Sequence, residues 1–387
     1  MQGVYILSAV RTPIGKFGGT MASLTAADMG VLAAKAAMER AGVDPSQVEE
    51  TILGNARQAG GGPNVARQIS MRSGVPQEVP AFTVNKACAS GMKAIALAYQ
   101  AITLGDATCI LAGGTESMSR VPYLLDQARW GYRLGTQELV DGMYRDGFFC
   151  PLAKMVMGET AEVLAEQYKI SREEQDEFAL TSQTRAARAI AAGRFDAEIV
   201  PVTERPEVRH DEGINGALTA AELAAKKPAF RAGGTVTGGN SSPLNDGAAA
   251  LLLMSADAVR RAGVTPLARY AGSSAAGVHP DYMGIGPVPA MHRALRRPGW
   301  RLEDLDLIEI NEAFAAQSVA VMDELKCDPE RVNVNGGAIA IGHPLGCSGA
   351  RIITTLLHEM RRRGATRGAA TMCIGVGQGI ASLWEAA

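Results

Sequence analysis

The sequence predicts an α/β protein built from two similar halves. Apolar stretches of strand length alternate with segments of helical periodicity, which is typical of mostly parallel sheets covered by helices. The same order of elements recurs near both ends of the 387-residue chain. The spacing agrees as well, because Asn55 precedes Cys88 by 33 residues and Asn311 precedes His343 by 32. A repeat of this length indicates a duplicated domain rather than a short-period solenoid.

The N-terminal copy reads as a series of β-α units. We expect strands at 4–10, 48–55, 81–85 and 108–112, and helices at 26–41, 65–73 and 88–104. Thr25 is the expected N-cap of the first helix, and Gly42 is expected to end it, because these residue types favour those positions.

The C-terminal copy repeats this succession after a segment of different character. We expect helices at 290–296, 313–325 and 348–363, and strands at 305–311, 332–335 and 369–374. Residues 117–245 hold most of the large polar side chains, including a charged helix that begins with the capping box Ser171-x-x-Glu174. We interpret this segment as an excursion from the first copy that covers the active site, since functional loops are commonly carried on a rigid scaffold.

Composition and charge exclude several classes of protein. Lys plus Arg is 38 and Asp plus Glu is 40, and a net charge of −2 argues against nucleic-acid or membrane-surface partners. The first residues, MQGVYILSAVRTPIGKFGG, lack the features of a signal or transit peptide. No apolar stretch approaches the ~18 residues that span a bilayer. We therefore expect a cytoplasmic protein.

Cys88 is the first candidate for chemistry. The six cysteines are scattered and form no CxxC pair, so neither a disulfide framework nor a zinc ribbon is indicated. Cys88 lies in VNKACASG, where a predicted strand passes into a long helix. A thiol at a helix N-terminus has a lowered pKa and lies beside free N–H groups that can bind an oxyanion. The alternative is a small apolar residue packed at a turn.

His343 is the second candidate. It lies in GGAIAIGHPLG, whose glycines let the backbone approach a ligand or another loop closely. Its place in the second copy corresponds to that of Cys88 in the first, so a pseudo-twofold would bring both together. A Cys–His pair is a standard way to activate a thiol nucleophile. The alternative is a histidine with a purely structural role.

Two further polar residues follow predicted strands. Cys373, in TMCIGVGQG, lies at the end of the last predicted strand, an edge where open α/β sheets gather ligands. It is either a general acid/base beside a nucleophilic thiol or a part of the core. The glycines after it resemble a dinucleotide fingerprint, but too little chain follows for further βα units, and we reject that interpretation. Asn311 either caps the next helix or holds a water beside His343.

Several long motifs together resemble the thiolase family. In chain order they are SAVRTPIGKFGG, VNKACASGMKAI, AGGTESMSRVPY, GTVTGGNSSPLNDGAA, NEAFAAQ, GGAIAIGHPLGCSGAR and CIGVGQG. They cover essentially the whole chain and stand in the order of the family. On these motifs the chain is identified as a member of the thiolase family.

The resemblance implies a duplicated thiolase-like fold. Two βαβαβαββ-type halves would form a layered α-β-α-β-α arrangement with an inserted loop domain. We expect residues 1–117 plus 246–267 in the N-terminal core half, 118–245 in a loop domain that covers the active site and binds coenzyme A (CoA), and 268–387 in the C-terminal core half. The family's usual assembly implies a homotetramer, built as a dimer of dimers.

The resemblance also implies a reaction and its residues. A thiolase cleaves a 3-ketoacyl-CoA with CoA, or condenses two acetyl-CoA, through an acyl-cysteine intermediate. Cys88 would be the nucleophile, His343 its base and Cys373 the acid/base at the substrate α-carbon. His343 and a water on Asn311 would form one oxyanion hole, and the backbone N–H groups of Cys88 and Gly375 the other.

The implied ligands are CoA and acyl-CoA, with no cofactor and no metal. Residues near the pantetheine would be Ser242, Gly238, Met157, Phe230, Met283 and Phe314. Two positions depart from the family pattern, because Val156 stands where many thiolases have His, and Pro243 stands where Gly is frequent. Both departures bear on acyl-chain length, which the sequence leaves open together with the direction of the reaction.

Three alternatives remain beside the thiolase hypothesis. A β-ketoacyl synthase shares the duplicated fold and the Cys nucleophile, but lacks a counterpart of Cys373. A Cys–His hydrolase would use water as acceptor and release free acid. A non-catalytic acyl-CoA or lipid carrier would be free to lose Cys88, Asn311, His343 and Cys373, all of which are present.

Overall fold

The elements follow one another as two groups separated by a long excursion. The computed structural model describes residues 3–202, 205 and 207–387. The first group contains β1 (Val4–Arg11), β2 (Gly15–Lys16), α1 (Ala26–Ala41), β3 (Glu50–Gly54), α2 (Val65–Arg72), β4 (Ala81–Val84), α3 (Ser90–Leu104) and β5 (Cys109–Ser117).

The excursion and the second group complete the chain. The excursion contains β6 (Tyr123–Leu124), β7 (Val140–Asp141), a π-helical turn (Tyr144–Phe148), β8 (Phe149–Cys150), β9 (Met155–Val156), α4 (Met157–Tyr168), α5 (Arg172–Ala191) and α6 (Ala220–Ala224). It is followed by β10 (Asn245–Ser255), α7 (Ala256–Ala262), β11 (Ala268–Gly277), α8 (Pro287–Arg296), β12 (Leu307–Ile310), α9 (Ala315–Leu325), α10 (Ala338–Ile341), α11 (Leu345–Arg363), β13 (Arg367–Ile374) and β14 (Gln378–Ala386).

The large sheet has a mixed topology. Its strand order is β12-β13-β14-β11-β1-β10-β5-β3-β4, and β2 pairs with β10. The N-terminal part has β3 parallel to β4 and β5, while the long β10 lies antiparallel between β1 and β5. The C-terminal part has β12 parallel to β13, followed by the antiparallel β14 and β11. The two parts join where Tyr5 and Ile6 pair with Arg269 and Ala268.

Helices cover both parts of the sheet and fill the space between them. Helices α1 and α2 pack on the outer face of the N-terminal strands, and α8 and α9 pack on the outer face of the C-terminal strands. Helices α3 and α11 pack against each other between the two sets of strands. The order of layers is therefore α-β-α-β-α, as the thiolase resemblance implies.

The central layer holds the largest apolar core. It includes Met92 and Ile95 of α3, Ile353 and Leu356 of α11, and the fully buried Trp384 of β14. Because α3 begins two residues after Cys88 and α11 two residues after His343, this core sets the distance between the two candidate residues. The position of the site therefore depends on how these two helices pack.

The local signals at helix ends are confirmed. Thr25 caps α1 through a capping box with Asp28, and Gly42 ends it in the left-handed region at φ 64°. Ser171 caps α5 through a capping box with Glu174. These contacts involve residues three apart, which is why the sequence alone predicts them.

Three expectations about elements were wrong. Residues 378–386 form the strand β14, whereas 369–374 was expected to be the last strand. The expected strand at 332–335 is reduced to a bridge between Val332 and Ile308. The helix expected from residue 88 begins at Ser90, because the backbone at Ala87 adopts φ 46° and the turn closes before the helix starts.

The division into three domains stays a prediction. The chain leaves the N-terminal strands at the end of β5 and returns to them with β10, which begins at Asn245. The intervening residues contribute walls to the candidate site described below. We keep 1–117 plus 246–267, 118–245 and 268–387 as the proposed boundaries.

Candidate active site

A cavity of about 930 Å³ brings together residues from both halves and the excursion. Its wall includes Cys88, His343, Cys373 and Gly375, four of the five residues that the sequence predicted to be catalytic. The fifth, Asn311, is fully buried behind His343. Residues distant in sequence therefore share one site, which fits a pocket for a small organic ligand.

Cys88 lies in a tight turn between β4 and α3. The Ser90 hydroxyl accepts from the Lys86 N–H at 2.9 Å and donates to the Ala87 carbonyl at 2.6 Å. The Asn85 side chain accepts from the Ala87 N–H at 3.0 Å. Ala87, at φ 46°, lies in a region that residues with a side chain rarely adopt. These contacts hold the half-buried thiol at the cavity wall.

The Cys88 thiol differs from the expectation of a lowered pKa. Burial raises its pKa and outweighs the opposing effects of the Gly375 N–H, of the Arg57 charge and of its own N–H. Helix α3 begins two residues after Cys88, so the thiol lies before its first turn and not within it. The resting thiol is therefore neutral, and its reaction requires a base.

Hydrogen bonds fix the orientation of the His343 ring and determine which ring nitrogen carries the proton. The His343 Nδ1 lies 2.6 Å from the Ser348 Oγ, which donates its own proton to the Pro344 carbonyl at 2.8 Å. The Ser348 hydroxyl must therefore accept from Nδ1–H, which leaves Nε2 without a proton and able to accept, 3.5 Å from the Nδ2 of Asn311. The backbone N–H of His343 donates to Asn245 Oδ1 at 2.9 Å.

The electrostatic surroundings keep His343 neutral. Burial, with the positive charges of Arg351 and Arg57, lowers the pKa of its imidazole to about 3. A neutral imidazole with an unprotonated Nε2 has the form that a general base requires.

Asn311 lies at the end of β12 and faces His343. Its Nδ2 is 3.5 Å from His343 Nε2, and its backbone N–H donates to Thr371 on the neighbouring strand at 3.0 Å. Its buried Oδ1 has no hydrogen-bond partner among the residues that the structure describes. An unpaired buried acceptor favours the earlier hypothesis of a bound water over a simple helix cap.

Cys373 and Gly375 come from the end of β13. Cys373 is buried, and burial together with the nearby Cys88 raises the pKa of its thiol. The Gly375 N–H points at the Cys88 sulfur. The next residue, Val376, adopts φ 63°, which is unusual for a β-branched side chain and turns the chain back into β14.

Glu116 connects the two halves at the site, and sequence reasoning missed it. This buried carboxylate accepts from the backbone N–H groups of Ala56 (3.0 Å), Arg57 (3.0 Å) and Gly346 (2.8 Å), and from the Asn55 amide (2.7 Å). It lies in the motif AGGTESMSRVPY, where an acidic residue closely follows the apolar run of a predicted strand. That position was the feature of the sequence that could have identified it. Ser348 was missed in the same way, within GGAIAIGHPLGCSGAR.

The residues expected near the pantetheine fall into two groups. Those on the cavity wall are Met157, Phe230, Ser242, Met283 and Phe314. Gly238 is exposed and does not line the cavity.

Aromatic and hydroxyl groups shape this side of the cavity. The Phe230 and Phe314 rings meet edge to face at 5.9 Å. A side chain at Gly158 would overlap the Phe230 ring, since its Cβ would lie 2.3 Å from ring atoms. Ser242 donates its hydroxyl to the Ala313 carbonyl at 3.1 Å, so its oxygen can still accept.

Both departures from the family pattern lie on the cavity wall. Val156 and Pro243 line it. Val156 is less polar than the His of the family pattern, and Pro243 is larger than the Gly. Arg57, which the sequence analysis did not single out, lines the same cavity.

The residues that the structure describes include no group of three or more His, Cys, Asp or Glu arranged to hold a metal ion. None of the helices in the described ranges is long and apolar enough to cross a membrane.

Comparison with known proteins identifies the family of the chain. The model of the thiolase N-terminal domain matches residues 4–257, and that of the thiolase C-terminal domain matches residues 264–386. The acetyl-CoA acetyltransferase of Escherichia coli is 54% identical, with 100% of this chain and 99% of that protein covered.

Solved structures give the same result. The Bacillus anthracis acetyl-CoA acetyltransferase has a TM-score of 0.97 at 48% identity, covering 100% of this chain and 99% of that one. The human mitochondrial 3-ketoacyl-CoA thiolase in complex with CoA has a TM-score of 0.98 at 43% identity, covering 100% and 98%. The similar solved structures therefore include both an acetyl-CoA acetyltransferase and a 3-ketoacyl-CoA thiolase.

Proposed function

The chain belongs to the thiolase family and is an acyltransferase, and on that premise we propose that Cys88 carries the acyl group between CoA thioesters. The observation that supports this most directly is the shared cavity of Cys88, His343, Cys373 and Gly375. A thiol, a neutral imidazole and a second thiol in one pocket have the groups that a covalent acyl transfer needs.

Acylation of Cys88 begins with loss of its proton. His343 Nε2 takes the proton from the thiol, and the sulfur attacks the C3 carbonyl of a 3-ketoacyl-CoA. The C2–C3 bond then breaks, and its electron pair leaves as the enolate of acetyl-CoA. The Cys373 thiol protonates this carbon, which releases acetyl-CoA and leaves the shortened acyl group on Cys88.

Deacylation completes the cycle. The Cys373 thiolate takes the proton of the CoA thiol, and the CoA sulfur attacks the acyl-Cys88 thioester. The new acyl-CoA leaves as the His343 imidazolium returns its proton to the Cys88 sulfur. Condensation of two acetyl-CoA uses the same groups in the opposite order, by microscopic reversibility. The choice between the two directions then depends on reactant concentrations.

Two oxyanion sites serve these steps. The N–H groups of Cys88 and Gly375, which both point at the sulfur, would stabilise the oxyanion formed on the acyl group. Asn311 and His343 would hold the enolate oxygen, with a water on the unpaired Asn311 Oδ1. Removing one such donor costs ~3–4 kcal/mol in well-studied enzymes.

The substrates are proposed to be CoA and acyl-CoA, without a cofactor. The apolar wall formed by Met157, Phe230, Met283 and Phe314 suits the pantetheine arm, and Ser242 offers it a hydrogen bond. We further propose a cytoplasmic homotetramer. The large apolar side chains exposed between residues 123 and 152 support an assembled form.

The test is CoA-dependent loss of acetoacetyl-CoA and of 3-ketooctanoyl-CoA, followed by absorbance, with Cys88→Ala as the control. We expect turnover that Cys88→Ala abolishes, and a mass increase of wild-type enzyme equal to one acetyl group after exposure to acetyl-CoA. Turnover of both substrates indicates a broad thiolase, and turnover of acetoacetyl-CoA alone a short-chain enzyme. No Cys88-dependent turnover of either would contradict the proposal and favour a carrier.

A further inference from the structure

A cavity of about 650 Å³ lies apart from the catalytic site. The pairing of β1 with β11 covers Tyr5 and Ile6, and the residues of β1 that follow, 7–10, form one wall of the cavity. The other walls include the end of α1, the turn after α5 and the end of α11. No residue of this cavity lines the catalytic one. The cavity, here the basic cleft, has on its wall Arg40, Arg194, His358, Arg361 and Arg362.

The charges on the wall of the basic cleft have one sign. Four arginines line it, and it contains no Asp or Glu from the described part of the chain. The whole chain has 38 Lys and Arg against 40 Asp and Glu, so this lining differs strongly from the average. The arginines come from three separate segments, and like charges brought together repel one another. An anion in the cleft would relieve this repulsion.

The end of α11 supplies more positive charge than its carboxylate offsets. Arg362 and Arg363 both pair with the buried Glu359, at 2.6 Å and 2.5 Å. The side chain of Arg361, next to them in sequence, takes part in no ion pair or hydrogen bond with the described residues. One carboxylate therefore serves a run of three arginines.

The other two arginines of the cleft are held by neutral acceptors. Arg194 donates to the Asn335 side-chain oxygen at 2.8 Å, and Arg40 donates to two backbone carbonyls, that of Ile199 at 2.8 Å. Burial lowers the pKa of Arg40, although the charge of the adjacent Glu39 acts in the opposite direction. These hydrogen bonds hold the two guanidinium groups in place without cancelling their charge.

Apolar residues and a histidine complete the wall. Leu7, Val10 and Leu267 line the cleft beside the arginines. His358 donates from Nε2 to the Ala9 carbonyl at 2.8 Å, so Nδ1 is the ring nitrogen left for a ligand. Cavities of this size that combine apolar walls with a few polar groups hold small organic ligands. The cleft therefore suits an anion that also has an apolar part.

We propose that the basic cleft binds a small ligand with two or more adjacent phosphate groups, at a site separate from the catalytic one. Guanidinium groups form paired N–H bonds with phosphate oxygens, and several phosphate oxygens can engage several arginines at once. Nucleoside diphosphates and inorganic pyrophosphate share this chemistry, and the apolar side of the cleft favours the nucleotide. His358 comes 15 residues after His343, which corresponds to about 20 Å along a helix. The inference goes beyond acyl transfer and does not depend on it.

The test is isothermal titration of the full-length protein with ADP, inorganic pyrophosphate and adenosine. We expect ADP and pyrophosphate to bind wild-type protein and adenosine to give no measurable heat, because the phosphates provide most of the attraction. Arg361→Gln should raise the Kd of ADP by about tenfold, since it removes one charge-assisted contact. Added KCl should raise the Kd further, because salt screens exposed charges.

Arg363→Gln is the matched control. Arg363 is an exposed arginine in the same turn of α11, but it pairs with Glu359 and does not line the cleft. We expect its Kd for ADP to stay within about twofold of wild type. Both variants should keep the wild-type KM for CoA, because neither residue lines the catalytic cavity. Should Arg361→Gln fail to fold, Arg194→Gln gives the same comparison from another element.

The outcomes separate this site from the catalytic one. No binding of ADP or pyrophosphate to wild-type protein, or adenosine binding as tightly as ADP, overturns the proposal. So does an equal rise in Kd with Arg361→Gln and Arg363→Gln, or a rise in the KM for CoA that accompanies the rise in Kd. A lower Kd for ADP than for pyrophosphate supports a nucleotide, and the reverse supports the inorganic ion. Loss of Cys88-dependent turnover in wild-type protein would concern the acyl transfer alone.

Discussion

At the scale of single residues, the reacting pair is neutral at rest. Burial raises the pKa of the Cys88 thiol and lowers that of the His343 imidazole to about 3. A thiolate–imidazolium pair is therefore disfavoured before substrate binds. The Gly375 and Cys88 N–H groups stabilise negative charge as it develops, which is when stabilisation accelerates a reaction.

Alkylation of Cys88 by iodoacetamide should depend steeply on pH. A raised pKa means that the reactive thiolate is scarce at neutral pH, so we expect labelling to accelerate through and beyond the ordinary cysteine value of ~8.5. Mass spectrometry of the labelled peptide gives the rate at each pH, and Cys88→Ala identifies the site. Fast labelling that is independent of pH near neutrality would instead indicate a preformed ion pair.

Ser348→Ala should lower kcat with little change in KM. The substitution removes the acceptor of His343 Nδ1–H, so the ring loses the partner that fixes its tautomer. We expect a fall of about 10- to 100-fold in kcat for acetoacetyl-CoA thiolysis, the equivalent of ~1–3 kcal/mol.

Thr354→Ala is the matched control for Ser348→Ala. Thr354 lies on the same helix, and its buried hydroxyl donates to the Ala350 carbonyl at 2.9 Å, with no other partner in the described part of the chain. Its substitution removes a similar group without reaching the site. Equal losses of kcat in the two variants would show that Ser348 acts through helix stability alone.

At the scale of elements, the crossing of α3 and α11 fixes the site. Gly91 of α3 and Gly346 of α11 lie so close that a Cβ at Gly91 would be 2.8 Å from the Gly346 carbonyl oxygen. A Cβ at Gly349 would be 2.5 Å from the backbone nitrogen of Met92. Since Cys88 and His343 directly precede these helices, the glycines let the two residues approach each other.

Gly349→Ala should destabilise the protein and reduce its activity together. The new methyl group meets backbone rather than a flexible side chain, so the helices must separate. We expect a loss of about 2–3 kcal/mol in the free energy of unfolding, measured by chemical denaturation, and a fall in kcat.

Gly238→Ala is the matched control for the stability measurement. Nothing lies within 4 Å of a Cβ at that position, and its φ is not positive. We expect its free energy of unfolding to stay within about 0.5 kcal/mol of wild type. A Gly349→Ala protein as stable as this control would contradict the close crossing.

At the scale of the whole molecule, exposed apolar side chains are concentrated in the excursion. Trp130 is 81% exposed and Leu134 is 94% exposed, and Tyr123 and Leu139 are exposed in the same stretch. Soluble monomers rarely carry such groups together. This distribution favours burial of the stretch against another copy of the chain.

Leu134→Asp should weaken the proposed tetramer. Wild-type protein is expected to sediment with a mass near four times 40.5 kDa. A buried charge at the contact should shift the mass toward a smaller species, because desolvating an unpaired carboxylate is unfavourable. Leu104→Asp is the control, since Leu104 is 78% exposed but lies at the end of α3, outside the excursion. A wild-type mass near one chain would refute the tetramer.

The sequence by itself determined the class of fold and the identity of the main candidates. The repeat of β-α units and the motifs around Cys88, His343 and Cys373 were sufficient, because periodicity, capping and turn residues are local properties. Thr25, Gly42 and Ser171 illustrate this, since each acts on neighbours a few residues away.

Only the tertiary structure decided the chemical state and surroundings of the site. The raised pKa of Cys88 follows from burial, the tautomer of His343 from Ser348, and the joining of the two halves from Glu116. These properties depend on groups distant in sequence, and desolvation and charge are set by everything packed around a residue.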